Sequence, residues 1–173
     1  MSACLSLFHA LSLKVRVCMW KEALEEHPRL GPGQAVIYTS SNNENEIALE
    51  MSKWLNDHPF ILTPLDCKGL EFDDCIIAFD VERKAWNLKD CRVASLRLLR
   101  ELYVAITRAK RRVVILTKMK DMKNFFLSLQ GCNIEESAAK VALYEFDSET
   151  TRDEWLKRGM SLFEVRKCAL ILL

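Results

Sequence analysis

Apolar residues along this chain gather into short β-branched runs, and between those runs they recur at helical spacing. MWKEALEEH (19–27) has helical character and should end before Pro28 and the GPG at 31–33, since neither residue type suits a helix interior. AVIYTS (35–40) has strand length and strand composition. The following NNENEIALEMSKWLND puts Ile47, Met51 and Trp54 at helical spacing, with Asn42 or Asn43 as N-cap. FILT (60–63), CIIAFD (75–80) and RVVILT (112–117) are apolar without alternation, as strands buried on both faces of a parallel sheet are. A helix is predicted over 93–110, with Leu98, Leu102, Ala105, Ile106 and Ala109 along one side, and another over KDMKNFFLSL (120–129). VALYEF (141–146) reads as a last strand, and the segment from Thr150 onward as a final helix or helix pair interrupted near Gly159. Strands alternating with helices predict a wound α/β domain with a mostly parallel sheet. In such sheets ligands gather at the carboxyl ends of the strands, so the loops after Thr39, Thr63 and Asp80, together with the end of the 93–110 helix, are the places to search.

Composition narrows this picture. A chain of 173 residues, half of them hydrophobic, can build a core for one domain of ordinary size. The net charge of +1 conceals a local imbalance: seven Lys or Arg stand between Arg108 and Lys123 against one acid, Asp121, while 145–154 is mainly acidic. The seven cysteines, at 4, 18, 67, 75, 91, 132 and 168, form no C-x-x-C pair and have no histidine at metal-ligand spacing. They read as reduced thiols of an intracellular protein, nuclear or cytoplasmic, and indicate neither a disulfide framework nor a metal site. The apolar start MSACLSLFHALSL lacks a basic leader, and Lys14 and Arg16 cut it short, so a buried first element or the ragged start of a fragment is expected rather than a signal peptide. No apolar run approaches the ~20 residues of a membrane-spanning helix.

Two segments carry candidate chemistry. In TPLDCKGLEFDDCIIAFD (63–80), Gly69 can offer a backbone N–H to a phosphate, Lys68 can neutralise charge, and the Glu71 carboxylate can accept from a ribose hydroxyl. In RELYVAITRAKRRVVIL (100–116), Arg100, Val104 and Arg108 follow at steps of four, with Tyr103 and Thr107 on a neighbouring stripe. A cation near a helix C-terminus is favoured by the dipole, which accounts for Arg108, Lys110, Arg111 and Arg112 without any ligand. The same position would let Arg108 address a transferring γ-phosphate. Helical spacing alone does not separate the two readings.

KGLEFDDCII followed by LYVAITRAKRRVVIL closely resembles motifs V and VI of the UvrD/Rep-like superfamily 1 helicases, in the family's order and each joined to the expected strand. The resemblance spans residues 34 to about 130 and implies a RecA-like fold of the P-loop NTPase type, the second of two motor domains. It divides the chain into an N-terminal segment (1–33), the RecA-like domain (34–147) and a C-terminal helical segment (148–173) that could begin a helical repeat. Carried over, it makes Arg108 the γ-phosphate-sensing arginine and places Gly69 and Glu71 at the nucleotide's phosphate and ribose. Lys68, Arg100, Tyr103 and Thr107 would brace that site. Thr63 would couple it to nucleic acid, and the basic run Lys110, Arg111, Arg112, Lys118, Lys120, Lys123 would follow a single strand, with Trp86 or Tyr103 as stacking platforms. The implied cofactor is ATP, its Mg²⁺ held by the other motor domain.

Departures from the family pattern are equally specific. Leu65, after Pro64, stands at the histidine position of motif V, and SNNENEIALE carries no motif IV arginine. There is no G-x-x-x-x-G-K-[ST] and no acidic Walker B strand. The chain is therefore expected to need a Walker-bearing motor domain, in a longer chain or in trans, and to hydrolyse no ATP alone. The alternative is a helicase-derived module that keeps the fold as a non-catalytic scaffold. In its short linker and in GLEFDD the chain resembles the large eukaryotic proteins that join a UvrD-like helicase region to TPR and ankyrin repeats more than the bacterial enzymes.

Overall fold

The computed structural model describes residues 13–40, 44–56, 58–81, 93–127, 134–146 and 149–171. The expectations for the first twelve residues, for a cap at Asn42 or Asn43, and for Trp86 lie outside these. In chain order the described residues form β1 (Lys14–Met19), α1 (Trp20–Ala23), β2 (Gln34–Ser40), α2 (Glu44–Trp54), β3 (Ile61–Leu62), β4 (Phe72–Asp80), α3 (Val93–Ile106), β5 (Ala109–Thr117), α4 (Lys120–Leu127), β6 (Ile134–Glu136), α5 (Ala139–Tyr144) and α6 (Arg152–Ile171). The six strands make one sheet in the order β3-β2-β4-β5-β1-β6, and every pairing is parallel. The mostly parallel α/β architecture expected from the sequence is present.

The uninterrupted apolar runs have their reason in two cores. Successive strand residues point to opposite faces, and both faces of β4 and β5 are covered. Cys75, Ile77, Phe79, Val113 and Ile115 meet Leu98, Leu102, Ala105 and Ile106 of α3, Met122 and Phe126 of α4, and Cys67 and Leu70 of the 63–70 segment. On the other face Ile76, Ala78, Val114 and Leu116 pack with Trp20 of α1, Ile47 and Met51 of α2, and Ala142 and Leu143 of α5. A residue on either face is shielded from water, so polar alternation has no place there. Helix α2 stops where Asn56 takes a positive φ of 49°, a left-handed conformation that terminates helices.

Five expectations need correction. VALYEF is helical: Ala139, Ala142, Leu143 and Phe146 are buried at steps of three, one and three, while Val141 and Tyr144 face solvent. Helix α3 ends at Ile106, not 110, because Ala109 already pairs with Phe72 as the first residue of β5. Gly159 does not interrupt α6, which runs through it. FILT contributes only Ile61 and Leu62, half-buried on the edge strand β3 rather than enclosed on both sides. Strands β1 and β6 are additional, and β1 lies inside the sheet between β5 and β6.

Candidate functional site

Chain direction decides where the two candidate segments meet. Phe72 opens β4 and Ala109 opens β5, so Lys68–Glu71 and Thr107–Arg108 both lie at the amino ends of adjacent strands. Of the places expected from the sequence, the end of the long helix and the segment after Thr63 lead to this edge, while the loops after Thr39 and Asp80 lie at the opposite, carboxyl edge. At the carboxyl edge the candidate loops carry internally paired groups: Lys118 bridges Asp80 and Glu50 at 3.3 Å each, and Thr39 donates to Glu101.

The junction at the amino edge is built by both arms of Arg108. Its carbonyl accepts from the Phe72 amide at 2.8 Å, which ties β5 to β4. Its guanidinium donates from Nε to the Val104 carbonyl at 3.2 Å, from Nη1 to the Leu70 carbonyl at 3.2 Å, and from Nη2 to the Thr107 hydroxyl at 3.3 Å. Thr107 itself donates back to Val104 at 2.9 Å, so its hydroxyl is engaged within the turn. Arg108 thus caps the end of α3 and holds the 68–71 turn beside it. All three acceptors are neutral, and among the described residues no carboxylate lies within ion-pair distance of it.

Gly69 adopts φ +81°, which side-chain-bearing residues rarely take, and a methyl group there would meet nothing within 4 Å. Its neighbours' amides are spent inside the turn, Lys68 on Leu65 at 3.2 Å and Leu70 on Cys67 at 3.0 Å. Lys68 and Gly69 are exposed. Next to this open turn Glu71 and Lys110 form a solvent-exposed ion pair at 3.1 Å. Thr63 is engaged in a reciprocal cap, its hydroxyl donating to Asp66 at 2.7 Å while the Asp66 amide donates back at 3.2 Å. Arg100 and Tyr103 are exposed on the outer side of α3, and Arg100 stands six residues before its end at Ile106. Arg108, Thr107, Gly69, Lys68, Glu71 and Lys110 are brought together at one edge, Thr63 is tied to the base of the same turn through the Cys67 amide at 3.1 Å, and Arg100 faces outward on α3.

Of the other residues in the basic run, Arg111, Arg112, Lys118 and Lys123 have counter-ions. Arg112 grips Asp74 with Nε at 2.8 Å and Nη2 at 2.6 Å, reaches Glu145 at 3.6 Å, and lies 5.2 Å from the Phe146 ring centre. Its hydrogen bonds to Asp74 hold its pKa above the ordinary arginine value. Arg111 reaches the same carboxylate at 3.4 Å, and Asp74 is fully buried. A cleft of 320 Å³ opens beside this network, lined in part by Gly33, Asp73, Glu145 and Glu154. Lys118 belongs to the far end of β5, about 26 Å from Lys110 at strand rise, and Lys123 pairs with Glu136. The basic residues therefore make separate ion pairs at two ends of the sheet rather than one continuous stripe.

Burial pushes the thiols of Cys18 and Cys67 up to about 11, and that of Cys75 higher still, so none supplies a thiolate near neutral pH. Among the described residues no group of three or more His, Cys, Asp or Glu is placed to hold a metal ion, and no helix is long and apolar enough to cross a membrane. Residues that the motifs did not indicate also reach this edge: Arg158 of α6 donates to the Glu71 carbonyl, and Trp155 stacks on Phe60. A tryptophan and an arginine three apart on one helix face were the available signal. What fold and site define together is an α/β domain of parallel strands with an arginine whose hydrogen-bond partners among the described residues are all neutral, beside an open glycine turn. No family model matches the chain, and no curated protein matches it.

Proposed function

We propose that this chain is the second, RecA-like motor domain of a UvrD-like superfamily 1 helicase, working inside the cell. In this reading Arg108 completes an ATP site whose Walker motifs and Mg²⁺ belong to another motor domain. The observation that carries it is the contrast in charge compensation: Arg111 and Arg112 are tied to Asp74, whereas Arg108 has only neutral partners among the described residues and stands beside the exposed turn at Gly69. A guanidinium held by carbonyls keeps its positive charge available to an anion, and its planar fork suits phosphate oxygens. On ATP binding, Nη1 would exchange the Leu70 carbonyl for a γ-phosphate oxygen, while the Gly69 amide and Lys68 meet the remaining phosphates and Glu71 leaves Lys110 for the ribose. Arg100, Tyr103 and Thr107 would brace the helix that carries Arg108.

Grip on a single nucleic-acid strand is the weaker part of this proposal, because Thr63, Arg111 and Arg112 already have intramolecular partners. That pairing, with Leu65 79% exposed at the family's histidine position, favours a second reading: a helicase-derived scaffold that binds without turnover. One experiment separates them. The chain is joined to a Walker-bearing motor domain and ATP turnover is measured with and without Arg108→Ala. A loss of roughly a thousandfold or more is expected for the motor reading. No turnover in the joined protein supports the scaffold, and turnover by the isolated chain that Arg108→Ala abolishes would overturn the two-domain account.

A further inference from the structure

Helix α6 lies against the same edge through a small set of side chains. Trp155 stacks on Phe60, with ring centres 6.0 Å apart and planes 22° from parallel, and meets His58 edge-on at 5.7 Å. Phe60 in turn lies 5.5 Å from Phe72. One turn further along, the Arg158 guanidinium stands 5.1 Å over the Phe72 ring and donates from Nη2 to the Glu71 carbonyl. Leu162 reaches the core cluster next. On the outer side, Leu156 and Met160 are exposed. Among the described side chains of α6, Trp155, Arg158 and Leu162 face inward, whereas α3 contributes Leu98, Leu102, Ala105 and Ile106 to the core.

Arg158 and Arg108 grasp neighbouring peptides of one short segment. Arg158 takes the carbonyl of Glu71, Arg108 takes the carbonyl of Leu70, and the Phe72 amide returns to the Arg108 carbonyl. The Glu71 carbonyl and the Phe72 amide belong to one planar peptide, and Leu70 is the residue before it, so fixing that peptide at both of its polar groups limits how far the segment, and the Leu70 carbonyl with it, can shift. The Arg158 contact is also imperfect: its Nε is buried with no acceptor among the described residues, and burial lowers its pKa. An unmet buried donor weakens docking.

We propose that α6 is a releasable strap, latched by Arg158, that holds Arg108 in its inward, resting position on Leu70. This rests on the reading of Arg108 as a phosphate ligand. Docked, the strap favours the bond from Nη1 to Leu70; undocked, it lets that carbonyl turn away and frees Nη1 for a phosphate oxygen. Arg158 is a positioning residue that touches no nucleotide.

The test follows hydrogen exchange at the Phe72 amide and the Arg108 Nε–H by NMR in the whole chain, with the strand amides of Val17 and Ile77 as controls. Arg158→Ala and Trp155→Ala should each speed exchange at Phe72 and Arg108 about tenfold and leave the controls unchanged. Arg158→Lys, which keeps the charge and loses the planar fork, should fall between. Unchanged exchange at Phe72 and Arg108 overturns the latch, and so does equal acceleration at Val17 and Ile77, which would make α6 a general stabiliser. ATP is then titrated against the chain joined to a Walker-bearing motor domain while the Gly69 and Arg108 signals are followed. Tighter binding by Arg158→Ala than by the unmodified chain supports regulation of the site, and equal or weaker binding overturns it. No response to ATP in any variant counts against the nucleotide reading alone, and the exchange rates still decide whether the latch exists.

Discussion

Arg108 and Arg112 stand four residues apart at the start of one strand, and their surroundings differ in the quantity that matters most for a cation. Arg112 meets a fully buried carboxylate through two short bonds, with a second acid and an aromatic ring beside it. Arg108 meets two carbonyls and a hydroxyl. The first arrangement uses the charge to make burial of Asp74 tolerable, since an unpaired carboxylate there would cost several kcal/mol. The second uses the geometry of the guanidinium and leaves its charge over. Adjacent arginines with the same sequence signature thus divide into a structural one and a candidate ligand, and compensation of charge is what distinguishes them.

The comparison is most exposed to mutation at Asp74. Asp74→Ala leaves Arg112 and Arg111 without their shared partner and should cost about 3–5 kcal/mol in urea denaturation. A cost near zero would mean that Arg112 is not structural. Gly69→Ala forces a side chain into the left-handed region and should cost about 1–2 kcal/mol, read as a lowered melting temperature; no loss would show that the turn does not need its glycine. Arg108→Ala should remove only about 1 kcal/mol, because each bond to a neutral carbonyl is a modest net contribution. If Arg108→Ala proved as damaging as Asp74→Ala, the division between the two arginines would fail.

The smallest effect expected is a pH dependence at the same edge. His58 is buried, donates from Nε2 to the Gln34 carbonyl at 3.2 Å, and has its pKa drawn below the ordinary 6.5 by burial. The unfolded chain then takes up a proton at a higher pH than the folded one, so the stability gained from a neutral His58 is present above 6.5 and is lost as pH falls through the lower folded value. Denaturation midpoints should decline from pH 7 to pH 5, and His58→Gln should flatten that slope. A decline of equal size in the variant would assign the effect to other groups.

Much of the sheet was legible because β2, β4 and β5 are enclosed on both faces and need apolar residues at nearly every position. Strand β1 escaped for the opposite reason. KVRVCM places Lys14 and Arg16 among its valines, and those cations are acceptable there because Glu145 sits beside both, at 3.2 and 2.7 Å. That neighbour comes from the far end of the chain and leaves no local trace. IEE is too short to carry a pattern, and VALYEF has strand-favouring residue types, yet the spacing of Ala139, Ala142 and Leu143 follows the helical core. At the site, the two motifs correctly announced a meeting of 68–71 with 107–108. Which edge they share, which arginine retains its charge, and the arrival of Arg158 depend on strand direction and long-range packing, and periodicity encodes none of these.

The position of β1 has a consequence for how the chain reaches its native state. Val15 pairs with Val113 on one side and Ile134 on the other, so the first described strand finds both neighbours only after most of the chain exists. During synthesis its backbone groups and apolar residues must wait, while β2 and β3 find their partners as soon as β4 is made, and β4 lacks only β5. Closure of so distant a pairing is entropically slow, and the waiting edge is open to pairing with other chains. The late insertion of β1 should therefore be the step at which newly made protein is most exposed to aggregation, and the step a chaperone would have to protect.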